Sequence, residues 1–96
     1  VLCTFVSPLR DARDRVRSLF AGEGFPDDAF AEVYVTAAPS TLRARDPKGL
    51  YARADAGEIR DLTGVGSPYE APEAPEMTLD TDTMSVEAAV EAVIAA

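Results

Sequence analysis

Segments with strand character alternate with segments of helical periodicity along this chain, and this alternation limits its possible folds more than any other feature. Apolar, β-branched and aromatic runs predict strands over residues 1–6 and 31–37 and a shorter strand over residues 77–79. Apolar residues at helical spacing predict a helix over residues 9–20. This order is typical of an α/β protein with a parallel sheet and helices packed across it.

The remaining elements are indicated by residues that start or interrupt them. Ser40 is a suitable N-cap for a short helix that ends before Pro47, and Ser85 is a suitable N-cap for a final helix. A further helix is predicted over residues 50–60. Residues 63–75 hold two glycines and three prolines and are therefore predicted to form a loop.

The charge of the chain narrows the classes of partner that it can bind. The net charge is −8, and we therefore expect neither a nucleic acid nor an anionic membrane surface as partner, because both require a basic field. The sequence has a single cysteine, Cys3, which favours a reducing, cytoplasmic environment. It has no histidine, which excludes acid–base chemistry by an imidazole group. No apolar run approaches the roughly 18 residues of a membrane-spanning helix.

The carboxyl ends of the predicted strands are the candidate binding region. In parallel sheets, ligands bind beyond these ends. The segments that follow the three strands are residues 7–8, 36–40 and 80–83. The pattern therefore predicts three binding loops at one edge of the sheet.

Three blocks of sequence carry more specific information than the pattern. They are FVSPLR at residues 5–10, RDPKGLY at 45–51 with AGEI at 56–59, and TG at 63–64 followed by SPYEAPE at 67–73 and LDTDT at 79–83. In this order and spacing they resemble the adenylylsulfate kinase family over nearly all 96 residues. The resemblance implies the C-terminal part of a P-loop nucleotide-kinase fold, in which residues 1–96 form a partial kinase domain without the P-loop segment.

The resemblance also implies an activity. Members of the family use ATP and Mg²⁺ to phosphorylate adenylyl sulfate on its 3′-hydroxyl, which gives 3′-phosphoadenylyl sulfate in sulfate assimilation. The chain opens inside a predicted strand and without methionine. We therefore expect a truncated domain that is inactive by itself, since the phosphate loop would hold most of the ATP and Mg²⁺. A homodimer, or fusion to a sulfurylase domain, is the expected assembly.

The family's functional residues can be matched to positions of this sequence. The implied substrate-binding residues are Phe5, Val6, Ser7, Lys48, Asp61 and Leu62, and the implied ATP-binding residues are Arg45, Thr81 and Met84. Ser7 also matches a serine described in bacterial members as a phosphoryl acceptor, although no general base adjoins it in sequence. No metal ligand is assigned to this chain.

Structural explanations remain open for several of these charged residues. Lys48 could be a solvated turn residue, and Arg45 could pair with Asp46 or cap a helix. The pair Asp80 and Asp82 fits a turn at the end of a strand better than a metal cluster. Solvent exposure on one helix face is the favoured interpretation of three further arginines, Arg10, Arg13 and Arg17.

The chain departs from the family pattern mainly in its predicted substrate lid. Ala52 and Arg53 stand where two lysines are usual, and Asp55 replaces a basic residue. Leu62 replaces a phenylalanine that stacks on the substrate adenine, and Gly66 replaces an aspartate. These changes leave a second hypothesis open, a non-catalytic nucleotide-binding or assembly domain. A generic interaction module is a third, which the RDPKGLY block disfavours.

Overall fold

The two strands found among the described residues pair in parallel, as the alternating pattern predicts. A computed structural model describes residues 1–46, 48–59 and 68–96. Its helices and strands follow in the order α1 (Arg10–Gly22), a single 3₁₀ turn (Asp27–Ala29), β1 (Val33–Thr36), α2 (Pro39–Arg45), α3 (Leu50–Asp55), β2 (Met77–Asp80) and α4 (Val86–Ala95). The predicted α/β class is confirmed.

The sheet holds the most deeply buried side chain of the described residues. β1 pairs with β2 so that Val33 lies opposite Met77 and Thr36 opposite Asp80. Leu79, at the third position of β2, is 4% exposed, and it is the one buried hydrophobic residue among those described. The connection between these parallel strands contains α2 and α3, in agreement with the crossover that parallel pairing requires.

The strand predicted over residues 1–6 is wrong. Residues 1–9 have no regular secondary structure, and Leu2, Phe5 and Val6 are mostly exposed. A strand is stable only when a neighbour takes up its backbone hydrogen bonds. In the described part of the chain the sheet contains only β1 and β2, and neither is paired with residues 1–6.

The helix ends agree with the sequence in one case and differ in two. The Ser85 hydroxyl accepts a hydrogen bond from the amide of Ala88 at 3.1 Å, which confirms Ser85 as the N-cap of α4. Ser40 is not the N-cap of α2, because the helix already begins at Pro39, whose fixed φ suits a first helical position. α3 ends at Asp55 rather than at residue 60, and Gly57 follows with a φ of +80°.

α1 is fastened to the sheet by ion pairs, and the expected solvation is wrong for Arg13, whose side chain is 11% exposed, whereas that of Arg17 remains 36% exposed. Arg13 contacts Glu32 at 3.0 Å, and Arg17 forms two hydrogen bonds with Glu76, of 2.8 and 2.7 Å. The amide of Glu32 donates to the same Glu76 carboxylate at 2.6 Å. Glu32 directly precedes β1 and Glu76 directly precedes β2, so these pairs hold α1 across the beginning of both strands.

Arg10 is the third member of this face, and it too is engaged. Its backbone amide donates to the Glu70 carboxylate at 2.7 Å, and its guanidinium donates to the carbonyl of Ala71 at 3.2 and 3.1 Å. The arginines near the start of the sequence therefore meet acidic and carbonyl groups of residues 70–76, which are about 60 positions away. None of the helices in the described ranges is long and apolar enough to cross a membrane.

Candidate nucleotide site

Backbone pairing continues for one residue beyond the carboxyl ends of the strands. The carbonyl of Thr36 accepts hydrogen bonds from the amide of Thr81 at 2.8 Å and from the Thr81 hydroxyl at 3.0 Å. Thr81 begins the turn that leads to α4, and α2 begins three residues after Thr36. The turn after β2 and the helix after β1 therefore meet at the edge of the sheet where α/β proteins bind ligands.

Arg45 reaches this turn from the last turn of α2. Its Nη1 donates to the Thr81 hydroxyl and its Nη2 to the Thr81 carbonyl, both at 2.9 Å. The Thr81 hydroxyl thus accepts from Arg45 while it donates to Thr36, so both its hydrogen-bonding functions are used. Met84 lies in the same turn, where its amide donates to the carbonyl of Asp80 at 3.0 Å. The three residues predicted to bind ATP therefore belong to one region, and Arg45 is exposed there.

Asp46 organises the start of α3 instead of pairing with Arg45. Its carboxylate accepts hydrogen bonds from the amides of Tyr51 at 3.1 Å and Ala52 at 3.2 Å, which are free amides of the first helical turn. Gly49 has a φ of +65°, a left-handed conformation that side chains other than glycine rarely adopt. Lys48 lies in this turn and is exposed. Asp46 and Gly49 therefore form a capped turn before α3, and Lys48 is presented to solvent there.

The unusual aspartate of the predicted lid has a partner in α2. Asp55 pairs with Arg43 at 2.5 Å, and the guanidinium carbon of Arg43 lies 5.4 Å from the centre of the Tyr51 ring. Both charged side chains are about half exposed, so the pair is open to salt screening. The charge reversal at Asp55 is thus compensated locally, and it ties α3 to α2.

The carboxylate of Asp82 accepts hydrogen bonds from the start of α2. Its carboxylate accepts from the amide of Ala38 at 2.7 Å and from the Thr41 hydroxyl. The hydrogen bond from the Thr41 hydroxyl lowers the pKa of Asp82 most, and the hydrogen bond from the amide of Ala38 lowers it further. Within residues 1–46, 48–59 and 68–96, no group of three or more aspartate, glutamate or cysteine side chains is placed to hold a metal ion. Residues 81–83 form a turn after β2, as predicted around Asp80 and Asp82.

The predicted substrate residues at the start of the chain lie in the irregular segment that leads into α1, and we name residues 7–8 of this segment the Ser7 turn. Phe5 and Val6 are exposed, and Ser7 has a φ of +42°, the one positive φ outside glycine in the described ranges. The carbonyl of Ser7 accepts from Nη1 of Arg13 at 2.6 Å. No hydrogen bond or ion pair in the described part of the chain joins Ser7 to Lys48. The other two predicted substrate residues, Asp61 and Leu62, lie outside the described residues.

Sequence reasoning missed the contacts by which Arg13, Asp46 and Asp82 shape these loops. Asp46 had a detectable signal, since an aspartate just before a predicted helix is a common capping residue. Asp82 and Arg13 had none, because their partners are 44 and 57 residues away along the chain.

Comparison with known proteins gives the same family that the sequence blocks suggest. The adenylyl-sulfate kinase of Shewanella denitrificans is 50% identical over 95 residues, which are 99% of this chain and 44% of that protein. The bifunctional enzyme NodQ of Azospirillum brasilense is 50% identical over 94 residues, which are 98% of this chain but 14% of that protein. The chain thus spans less than half the length of these relatives.

A solved structure and a family model complete the comparison. The Mycobacterium tuberculosis APS kinase CysC, solved in complex with AMPPNP and APS, superposes with a TM-score of 0.83 at 38% identity. The superposition covers 95% of this chain and 50% of that one. The family model for adenylylsulphate kinase matches residues 1–80. This chain therefore belongs to the adenylylsulphate kinase family.

Proposed function

We propose that this chain forms the adenine-binding and substrate-lid part of a kinase that transfers the γ-phosphoryl group of ATP to the 3′-hydroxyl of adenylyl sulfate. Residues 1–96 are then one part of a kinase domain, and the product is 3′-phosphoadenylyl sulfate. Family membership supports the reaction class, and the relative solved with AMPPNP and APS supports the pair of nucleotides. The match to a bifunctional relative supports fusion to a second enzyme as one possible assembly.

The observation that carries this proposal is the contact between Arg45 and Thr81 beyond the carboxyl ends of the two strands. Two hydrogen bonds of 2.9 Å fix the guanidinium while Arg45 stays exposed. A planar guanidinium held in this way is suited to stack on an aromatic base, because less side-chain freedom remains to be lost on binding. Arg45 then contacts the adenine of ATP, and Thr81 and Met84 border the same position.

Lys48 supplies positive charge to the substrate in this proposal. Enzymes of phosphoryl transfer act mainly by positioning and by offsetting negative charge, so cations on loops that approach the substrate are what the reaction requires. Lys48 is exposed on the capped turn before α3, with its ammonium group accessible to an anion. We assign it to adenylyl sulfate rather than to structure, since no hydrogen bond or ion pair of Lys48 occurs in the described residues.

Ser7 contacts the substrate in this proposal and does not carry the phosphoryl group. A serine nucleophile needs an adjacent general base within hydrogen-bond reach. Its carbonyl is bonded to Arg13, and within the described ranges no carboxylate is bonded to its hydroxyl. Phe5 and Val6 precede Ser7 in the same irregular segment, and both are exposed.

The described residues do not fit a Mg²⁺ ion. Mg²⁺ prefers oxygen ligands in octahedral geometry, usually carboxylates together with substrate phosphates. Among the residues that the structure describes, the carboxylates do not gather into such a group. Asp82 and Asp46 are instead bonded to backbone amides of α2 and α3. We therefore derive no step through the metal from this chain, and we place the ATP phosphates on other residues of the kinase domain.

The experiment that tests the adenine contact replaces Arg45 by alanine in the intact protein that contains these 96 residues. A cation–π contact is worth about 0.5–2 kcal/mol, so the KM for ATP should rise about 2- to 30-fold. Arg43→Ala is the matched control, since Arg43 lies in the same helix and contacts Tyr51 and Asp55 instead of Thr81. An equal rise in both variants, or no rise in Arg45→Ala, would remove Arg45 from the ATP site.

The paired charge at Asp55 favours one competing function, a nucleotide-binding domain that no longer phosphorylates adenylyl sulfate. Asp55 takes up the charge of Arg43, so the lid presents less positive charge to an anionic substrate. Under this alternative the intact protein binds ATP analogues, and Arg45→Ala weakens this binding. Adenylyl sulfate has no effect on ATP turnover.

A further inference from the structure

We propose that Arg13 is a positioning residue that holds the Ser7 turn in its substrate-binding conformation by tying it to residues 69–71. This inference rests on the proposed function for its effect on adenylyl sulfate. Arg13 is in the first turns of α1 and matches none of the family's functional residues named above.

The guanidinium group of Arg13 contacts three separate segments of the chain. Its Nη1 donates to the carbonyl of Ser7 at 2.6 Å, its Nη2 donates to the carbonyl of Glu70, and its Nε donates to Glu32 at 3.0 Å. Its side chain is only 11% exposed, and that of Glu32 is 15% exposed. A charged group this far from water needs a counter-charge and filled hydrogen bonds, and Arg13 has both.

The Ser7 turn needs this support because its backbone is strained. Ser7 has a φ of +42°, in the left-handed region where a side chain crowds the following carbonyl. Such conformations persist only when the surrounding structure fixes them, and they concentrate at functional sites. Arg13 holds the carbonyl of Ser7, and the next carbonyl, that of Pro8, accepts from the amide of Glu70 at 2.8 Å. Two consecutive carbonyls are thus fixed from outside the turn.

Residues 69–71 are themselves anchored, so they can serve as a rigid support. The Tyr69 ring stacks on Tyr34 of β1 with the ring centres 6.2 Å apart and the planes 12° apart. The guanidinium carbon of Arg13 lies 5.5 Å from the centre of the same Tyr69 ring. Arg10 also holds residues 69–71, because its amide donates to the Glu70 carboxylate. The Ser7 turn therefore keeps a fixed position relative to the sheet through Arg13 and Tyr69.

Lysine cannot replace Arg13 in this arrangement. The rigid fork of a guanidinium directs separate N–H groups at Ser7, Glu70 and Glu32 at the same time, whereas an ammonium group is a single point on a flexible stem. Arg13→Lys should keep the charge beside Glu32 and lose at least one of the two carbonyl contacts. It is therefore the variant that separates loss of position from loss of charge.

Arg17 provides the matched control. It lies one turn later on the same face of α1, pairs with Glu32 and Glu76, and its guanidinium lies 4.9 Å from the centre of the Phe30 ring. It has no hydrogen bond to Ser7 or to residues 69–71 in the described part of the chain. Arg17→Gln should therefore weaken the attachment of α1 without loosening the Ser7 turn.

The first measurement is hydrogen–deuterium exchange of the intact protein at the amide of Glu70, which donates to Pro8. Loss of the charge-assisted hydrogen bonds to the carbonyls of Ser7 and Glu70 should speed exchange there at least about 10-fold in Arg13→Gln, with a smaller increase in Arg13→Lys. In Arg17→Gln it should stay within about 2-fold of the unmodified protein. Unchanged exchange in Arg13→Lys and Arg13→Gln, or equal acceleration in Arg17→Gln, would overturn the positioning role.

The second measurement is steady-state kinetics with adenylyl sulfate and ATP varied separately. Because the Ser7 turn is displaced in Arg13→Gln, the KM for adenylyl sulfate should rise about 10-fold, and the KM for ATP should stay unchanged. Arg17→Gln should lower the midpoint of urea unfolding without changing either KM. A parallel rise in both KM values would contradict the inference. An unmodified protein that transfers no phosphoryl group to adenylyl sulfate would refute the proposed function instead, and exchange at Glu70 would still decide the role of Arg13.

Discussion

Replacing Glu76 by glutamine tests whether ion pairs hold α1 on the sheet. Glu76 accepts two hydrogen bonds from Arg17, of 2.8 and 2.7 Å, and one of 2.6 Å from the amide of Glu32. Because its side chain is 40% exposed, solvent screening limits the ion pair to the roughly 0.2–1 kcal/mol range of surface pairs, and its two parallel hydrogen bonds place it near the upper end. A glutamine oxygen can still accept from Glu32. We therefore expect Glu76→Gln to lower the free energy of unfolding by about 1 kcal/mol.

The same interaction makes a prediction about pH. The hydrogen bonds from Arg17, followed by that from the amide of Glu32, lower the pKa of Glu76 from 4.5 to about 2. A carboxyl with a depressed pKa stabilises the folded state above its unfolded pKa, and this stability is lost as the pH falls through the folded value. The difference in stability between the unmodified protein and Glu76→Gln should therefore be full above pH 4.5 and shrink as the pH falls towards 2.

The assay is urea unfolding of the intact protein, because guanidinium chloride would itself screen the pair. Glu73→Gln is the matched control in the same segment, since Glu73 is 80% exposed and lies 3.8 Å from Arg10. Glu73→Gln should change the free energy of unfolding by less than about 0.5 kcal/mol. Equal effects of the two variants, or a difference for Glu76→Gln that stays constant as the pH falls from about 6 to about 3, would refute the reasoning.

Two further predictions concern the lid and the core. Lys48→Ala should lower kcat/KM for adenylyl sulfate about 10-fold or more. The free energy of unfolding should change little, because Lys48 is exposed. An unchanged kcat/KM would contradict the proposed role of Lys48. The isolated 96-residue chain should associate or be partly unfolded, since Leu79 is the one buried hydrophobic residue described and the described sheet has two strands. Urea unfolding at several concentrations checks this, and a cooperative, concentration-independent transition of several kcal/mol would contradict it.

Elements that depend on local sequence were predictable, and the first strand was not. The periodicity of residues 9–20 and the capping preference of Ser85 act over a few residues, so α1 and the start of α4 follow from the sequence. A strand depends on a neighbour that can be anywhere in the chain. Residues 1–6 have strong β propensity, yet in the described part of the fold no strand lies beside them.

In the candidate site, too, some features were predictable from the sequence and others depend on tertiary structure. A resemblance in sequence blocks predicted that Arg45, Thr81 and Met84 share one region, and the contact between Arg45 and Thr81 agrees with this, while their role towards ATP stays a prediction. Helical spacing placed Arg13 on a polar face and suggested exposure. Its carbonyl partner on Glu70 is 57 residues away, so its burial follows from tertiary structure alone.

The most direct test of the proposed function is phosphoryl transfer by the intact protein, measured with γ-labelled ATP, Mg²⁺ and adenylyl sulfate. We predict that label appears on the 3′-oxygen of adenylyl sulfate, and that Arg45→Ala slows its appearance at limiting ATP. A protein that binds the ATP analogue AMPPNP but leaves adenylyl sulfate unlabelled would contradict the account, and would identify a nucleotide-binding domain that has lost the kinase reaction.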